Sequence, residues 1–351
     1  MNTALPSTHF ELSDPEILVN IKKIPSITTL FSKVIFLSMV RPGTLDNDAR
    51  ISKVRIVFNG VKPDGQKIRR YKQVCGFASS LGANDPDSDE TCIPASYRQT
   101  LFIGLLGKFI TTAHFPINPM GLIQVGQSFE QKRAVKTDEI LDLSCQLQGI
   151  TKTLKGIHTQ FLLEISSDKE IVWRGISTFF TRSKIKQKNK TIEKVEKKEE
   201  QFLDIKERIF VPGDTGRKYA GVSGDYNPHH LYGITAKMIG FKHPIAHGMW
   251  SLARVMASME KNFGSHYPLR ADAAFKLPIF MPATINLGYE PAQKTREQNE
   301  PTEIGTNEIG ANKIGTNKIK PDETQIDFEL RDDKKGIPHL KGQFAFTRGN
   351  G

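Results

Sequence analysis

Alternation of apolar and polar residues is most regular over residues 122–132, 140–150, 154–166 and 171–181, with turn-forming strings at Asn118-Pro119-Met120-Gly121 and Ser166-Ser167-Asp168-Lys169. A period of two is that of a strand with one buried face, so these segments predict an antiparallel meander. Before them, residues 97–110 predict an amphipathic helix whose Leu101, Phe102, Leu105 and Phe109 face the sheet. The pattern then recurs. Residues 205–210 predict a strand, 211–216 a loop, 217–223 a short helix and 224–245 a loop-rich stretch. A helix over 248–262 repeats Met249, Leu252, Ala253 and Met256 on one face, and 275–278, 283–289, 324–330 and 342–347 predict strands. Each half thus runs one principal helix and then a meander. The shared order suggests duplication, although residue identity between the halves is weak.

Between and around these blocks the pattern lapses. Residues 1–27 predict a tail or an irregular first segment, without the basic and apolar regions of a signal peptide. Residues 183–201 are rich in lysine and glutamate, have almost no large apolar side chains, and predict a linker. A fivefold period at Glu303-Ile304-Gly305-Thr306-Asn307, Glu308-Ile309-Gly310-Ala311-Asn312 and Lys313-Ile314-Gly315-Thr316-Asn317 is too short to build a solenoid. It predicts a low-complexity loop insertion over 291–322. The expected organisation is a tail at 1–27, a first domain at 28–182, a linker at 183–201 and a second domain at 202–349. A chain of 351 residues with 25% charged side chains suits two soluble domains of this size.

Charge and cysteines narrow the partners. A formal net charge of +11 favours anionic ones, such as phosphorylated cofactors or acidic carrier proteins. The lysines of the linker have no interleaved aromatic residues, which argues against a nucleic-acid tail. Cys75, Cys92 and Cys145 are odd in number and form no CxxC pair, so neither a disulfide framework nor a zinc knuckle is expected. A reducing cytoplasm fits best. The most apolar early stretch, 30–40, is interrupted by Lys33 and falls short of the ~20 residues of a membrane span.

The chemistry concentrates in Tyr219-Ala220-Gly221-Val222-Ser223-Gly224-Asp225-Tyr226-Asn227-Pro228-His229-His230. Asn227-Pro228 reverses the chain, which can bring the Asp225 carboxylate and the His230 ring to the same side. Such a pair works as acid and base near neutral pH. The same string also reads as an Asx-turn in which Asp225 caps a helix and His230 packs beside it. A second run, Gly240 to Met249 through His243-Pro244-Ile245-Ala246-His247-Gly248, ends at the start of the apolar helix. Free amides at a helix N-terminus can hold a partly negative oxygen, and Gly248 permits close approach of a carbonyl.

Ser223-Gly224-Asp225-Tyr226-Asn227-Pro228-His229-His230 followed by Pro244-Ile245-Ala246-His247-Gly248-Met249 resembles the MaoC-like dehydratases, which include the (R)-specific enoyl-CoA hydratases and 3-hydroxyacyl-thioester dehydratases. The resemblance is strong over about residues 202–290 and weaker in the first half, where Phe115-Pro116 through Arg133 is similar to the first repeat of two-domain members. It implies an α+β double hot-dog fold, each half an antiparallel sheet wrapped around a central helix. It further implies reversible addition of water across the 2,3 bond of an acyl thioester. Asp225 and His230 would be the catalytic pair, Asn227 would orient them, and the Gly248 amide would be the oxyanion donor, with His247 and Met249 beside the substrate. No cofactor or metal is implied. The first half lacks such a run; its nearest string, Asn84-Asp85-Pro86-Asp87, has the wrong order and no histidine. One active site per chain is expected, with the first domain shaping an acyl tunnel for a medium or long chain.

Competing readings are weaker. His243 and His247 stand four apart, but Pro244 breaks the helix that would align them on a metal. His229 is expected to be exposed. Gly213-Asp214-Thr215-Gly216 lacks the lysine and serine of a phosphate loop, and there is no GxSxG. A non-catalytic acyl-thioester-binding or scaffold protein remains the alternative. The substrate carrier, CoA or acyl carrier protein, is left open, as is a monomeric pseudo-dimer against a homodimer.

Overall fold

The segments with a period of two form strands, and those strands join in one sheet. The computed structural model describes residues 9–11, 17–25, 27–40, 54–78, 91–113, 115–119, 121–153, 155–182, 202–238, 240–292 and 323–347. In chain order the first half carries β1 (His9–Glu11), β2 (Ile17–Asn20), α1 (Ile27–Val40), β3 (Val54–Val61) and α2 (Gly65–Cys75). A 3-10 segment, Ala95–Phe102, runs into α3 (Ile103–Ile110), followed by β4 (Ile123–Gln131), β5 (Leu141–Lys152), β6 (Gly156–Ser167) and β7 (Glu170–Arg182). The second half carries β8 (Ile205–Val211), α4 (Thr215–Ser223), a 3-10 turn Pro228–His230, α5 (Gly233–Met238), α6 (Gly248–Phe263), β9 (Leu269–Phe275), β10 (Ala283–Pro291), β11 (Glu323–Asp332) and β12 (Pro338–Thr347).

The main path of the sheet is β2-β3-β5-β6-β7-β4-β9-β12-β11-β10-β8, with β1 paired to β5. Outward from the β4–β9 seam, β7, β6, β5 and β3 on one side answer β12, β11, β10 and β8 on the other. The two halves therefore wind alike and meet antiparallel, Gly126 opposite Ala274 through Gln131 opposite Leu269. The helices repeat as well. α2 ends at Gly76 and α4 at Gly224, both in left-handed conformation, with Tyr71 and Tyr219 standing five residues before them. Those two rings meet with centroids 5.9 Å apart.

α6 forms as its spacing predicts and is buried almost all round, not on one stripe. The sheet wraps one side, and the first half covers the other: Trp250 Nε1 donates to the Val74 carbonyl at 3.1 Å. Leu252, Ala253, Val255 and Met259 join Phe102, Leu105 and Phe109 in one hydrophobic core.

Several elements differ from expectation. The helix over 97–110 begins as a 3-10 segment, with Ser96, Arg98, Gln99 and Thr100 buried in it. β9 lies at Leu269–Phe275 and not at 275–278. Its inward side chains are Leu269, Ala271 and Ala273, and alanine carries little strand signal; Pro278 cannot donate to a ladder. β1 and β2 fall within the segment read as a tail. The linker 183–201, the repeat within 291–322 and Asn84 to Asp87 lie outside the described residues.

Candidate active site

Glycine stops α4 where the acidic residue must emerge. Gly224 has φ of 85° and its amide donates to the Ala220 carbonyl at 2.8 Å, a left-handed helix end that suits glycine. The Asp225 amide then donates to Ser223 Oγ at 3.1 Å. Asn227 donates twice to Asp225 Oδ1, from its backbone amide at 3.2 Å and from Nδ2 at 2.7 Å. Asp225 therefore makes the Asx-turn and also turns its other oxygen, Oδ2, towards the histidines, 3.9 Å from His247 Nε2. The Asx-turn of the sequence reading is present, but Asp225 caps no helix: the residue at the start of the 3-10 turn is Asn227.

Pro228 opens the 3-10 turn that carries His230, a buried side chain. Because a carbonyl can only accept, His230 Nδ1 carries the proton it donates to Ile245 O at 2.7 Å. Nε2 is then the ring's free proton acceptor. His247 is committed differently: its Nε2–H donates to the Asp225 backbone carbonyl at 2.9 Å. Its ring stacks on His230 with centroids 3.6 Å apart and planes 23° apart, and Tyr219 packs at 4.8 Å. His229, expected to be exposed, is half-buried; its ring lies 4.0 Å from His230 and 5.6 Å from Phe241. The turn folds it back under its neighbour.

Burial dominates the electrostatics. It lowers His247 to about 3, opposed by the hydrogen bond to the Asp225 carbonyl. It also pushes His230 well below the ordinary imidazole value, aided by His247 and His229 and opposed by Asp225. His229 is lowered by burial too, against the nearby Asp225. At neutral pH the three imidazoles of the cluster are therefore held in the neutral form.

All the residues singled out from sequence, Asp225, Asn227, His230, His247, Gly248 and Met249, border one cavity of about 470 Å³. Gly248 is the first residue of α6, so its amide has no partner within the helix. A Cβ there would stand 3.0 Å from the Phe275 ring, which leaves glycine to open the approach. The remaining walls come largely from the first half and are apolar: Leu30, Val34, Ile103, Leu106, Phe161 and Phe179. Sequence reading expected the first half to shape the tunnel without naming these residues, and it included Tyr219 in the run without giving it a part; its signal was its place on the buried face of α4.

The donor atoms of Asp225, His230 and His247 lie within 4.8 Å of one another. Two near-parallel stacked rings direct their lone pairs side by side, and each already gives one N–H to a carbonyl. That arrangement suits proton transfer better than convergence on a tetrahedral ion. His243 is exposed and stands outside the cluster.

In the first half, Phe77 follows the helix-ending Gly76 as Asp225 follows Gly224, and it is buried. The place after the helix-ending glycine is thus held by an apolar ring, and Tyr71 donates to Ser96 Oγ at 3.1 Å.

Residues 186–312 match the family model of the MaoC like domain. 3-hydroxyacyl-thioester dehydratase X of Mycobacterium tuberculosis is 26% identical over 195 residues, 56% of this chain and 69% of that protein. Among solved structures, HtdX of Mycobacterium tuberculosis is similar with a TM-score of 0.61 at 21% identity, over 83% of this chain and 98% of that one. A MaoC-like dehydratase from Phytophthora capsici gives a TM-score of 0.60 at 18% identity, over 84% and 96%. A conserved hypothetical protein of Mycobacterium tuberculosis with a double hotdog fold gives 0.51 at 9%, over 87% and 98%. The architecture they share with this chain is the double hot dog that the family resemblance implied.

Proposed function

We propose that this double hot-dog chain is a hydro-lyase of the MaoC-like type, adding water to trans-2-enoyl thioesters and removing it from (R)-3-hydroxyacyl thioesters. The observation that carries this reading is the meeting of the Asp225 carboxylate, the His230 ring with its Nδ1 already committed, and the Gly248 amide at one largely apolar cavity. The dehydratase named among the comparisons acts on a 3-hydroxyacyl thioester, which is the same substrate class. Both CoA and an acidic carrier protein suit the net charge of +11. Among the described residues no helix is long and apolar enough to cross a membrane.

In the hydration direction, a water sits between His230 Nε2 and Asp225 Oδ2. The pair takes one of its protons while its oxygen bonds to C3. The C2–C3 π electrons move to form an enolate whose oxygen is held by the Gly248 amide. The proton held by the pair is then delivered to C2, the enolate collapses to the thioester, and the pair returns to its starting state. Elimination retraces these steps. Asn227 holds Oδ1, so Oδ2 remains for the water. The first half supplies the wall against which the acyl chain lies, which favours a medium or long chain.

Mixing the protein with octenoyl-CoA or the matching acyl carrier thioester should bleach the enoyl-thioester absorbance. Asp225→Asn and His230→Gln should each lower the rate by about 10²–10⁴-fold, the usual contribution of a positioned acid or base. Two variants that keep the wild-type rate would sink the mechanism.

A further inference from the structure

The walls of the acyl side of the cavity are of two kinds. Leu106 and Phe161 belong to the continuous hydrophobic core, so their size is set by the packing of the fold. Leu30 and Val34 line the same cavity but stand outside that core. They lie one helical turn apart on α1, on one face of it, while Ile35, Phe36 and Met39 are exposed.

α1 is brought close by missing side chains on α3. A Cβ on Gly107 would stand 2.8 Å from Leu30 Cδ1, and one on Gly104 would collide with Ile24. Gly107 itself borders the cavity beside Leu30. Two glycines three residues apart thus form a notch in which Ile24 and Leu30 are seated, and the notch fixes how near α1 comes. Asn118 Nδ2 holds its far end by donating to the Ser38 carbonyl at 3.1 Å.

We propose that α1 is the end wall of the acyl-binding cavity and that Leu30 and Val34 set the length of acyl chain the protein accepts. The proposal rests on the hydro-lyase reading for its substrate class. It needs no new chemistry: each methylene that finds room is buried, and the first that does not must displace a side chain. Burial of a methylene is worth about fourfold in binding. Both kcat/KM and affinity should therefore rise about fourfold per methylene up to the wall and then fall.

The test is a series of crotonyl-, octenoyl-, dodecenoyl- and hexadecenoyl-CoA with wild type, Leu30→Ala and Val34→Phe. Leu30→Ala should move the break to longer chains, raising kcat/KM about tenfold for the first substrate that wild type rejects. Val34→Phe should move it to shorter chains, with about a tenfold loss on the wild-type optimum. Crotonyl-CoA, the shortest of the series, should be the least affected substrate in both variants. Calorimetric affinities for the saturated acyl-CoAs should show the same break without turnover. An inactive wild type whose affinity series follows the two variants supports the wall and overturns the hydro-lyase reading. A break that stays in place in both variants, with crotonyl-CoA turnover or binding intact, overturns the wall.

Discussion

At the scale of residues, His247 holds together the two groups proposed to move the proton. Its Nε2–H fixes the Asp225 backbone, its ring supports His230, and Tyr219 packs against it. His247→Ala should remove both supports. It should lower kcat by about 10²-fold, the penalty of a misplacement of about 1 Å, while KM changes little, because the acyl walls are untouched. Equal losses in a reaction-independent measure, such as melting temperature, with kcat unmoved would refute the positioning role. Burial also couples this cluster to pH. The unfolded chain protonates an imidazole below about 6.5, whereas folded His247 stays neutral down to about 3. Between those values the unfolded state holds the extra proton, so stability falls as pH falls, by about 1.4 kcal/mol per pH unit for each such histidine. Urea midpoints at successive pH values should show a shallower acid decline in His247→Asn than in wild type. Asp225, Asn227 and His230 were legible in the sequence because a proline turn brings them together within six residues. The part His247 plays was not, because its two partners are set by a helix end and a loop more than fifteen residues away.

Elements were legible where one face is wet and the other dry. β5, β7 and β10 announce themselves by period, since burial on one side imposes it, and α6 by the helical spacing of its apolar residues although it is buried almost all round. β3 and α2 went unread. Half of β3 is only partly buried, and α2 shows polar residues at most positions, burying Ile68, Tyr71 and Cys75. The way two elements dock is harder still to read, and Gly216 illustrates it. Alanine is the better helix former by about 1 kcal/mol, yet a Cβ at position 216 would collide with the His230 carbonyl. Gly216→Ala should therefore displace the 3-10 turn that carries His230, the proposed base, and lower kcat by about 10²-fold. Gly221, in the same helix, faces open space. Gly221→Ala should raise stability by roughly 0.5–1 kcal/mol and leave kcat alone. Circular dichroism and steady-state kinetics on the two variants separate helix propensity from docking. Similar behaviour of the pair would mean that the α4 contact does not position His230.

For the whole molecule, the pairing of β4 with β9 is what no local pattern could announce, because it joins segments about 145 residues apart. It makes the halves share a sheet, and the Trp250–Val74 hydrogen bond and the Tyr71–Tyr219 contact make them share a core. A seam with both backbone pairing and buried side chains should couple the halves when they unfold, although the chain is longer than most cooperative units. The chain supplies its own reporters. It has two tryptophans, Trp173 on β7 of the first half and Trp250 on α6 of the second, both buried. Trp250→Phe leaves a reporter on the first half, and Trp173→Phe leaves one on the second. Removing the Trp250 indole also removes its bond to Val74, which should lower the urea midpoint by the equivalent of about 1 kcal/mol. Within each variant, fluorescence and far-ultraviolet circular dichroism should trace one coincident transition, since the dichroism reports both halves and the single tryptophan only one. A tryptophan signal that completes its change while much of the dichroism remains would mean that the halves unfold separately. The cavity floor from the first half would then be able to loosen without the catalytic turn, and acyl selectivity would decouple from activity under denaturant.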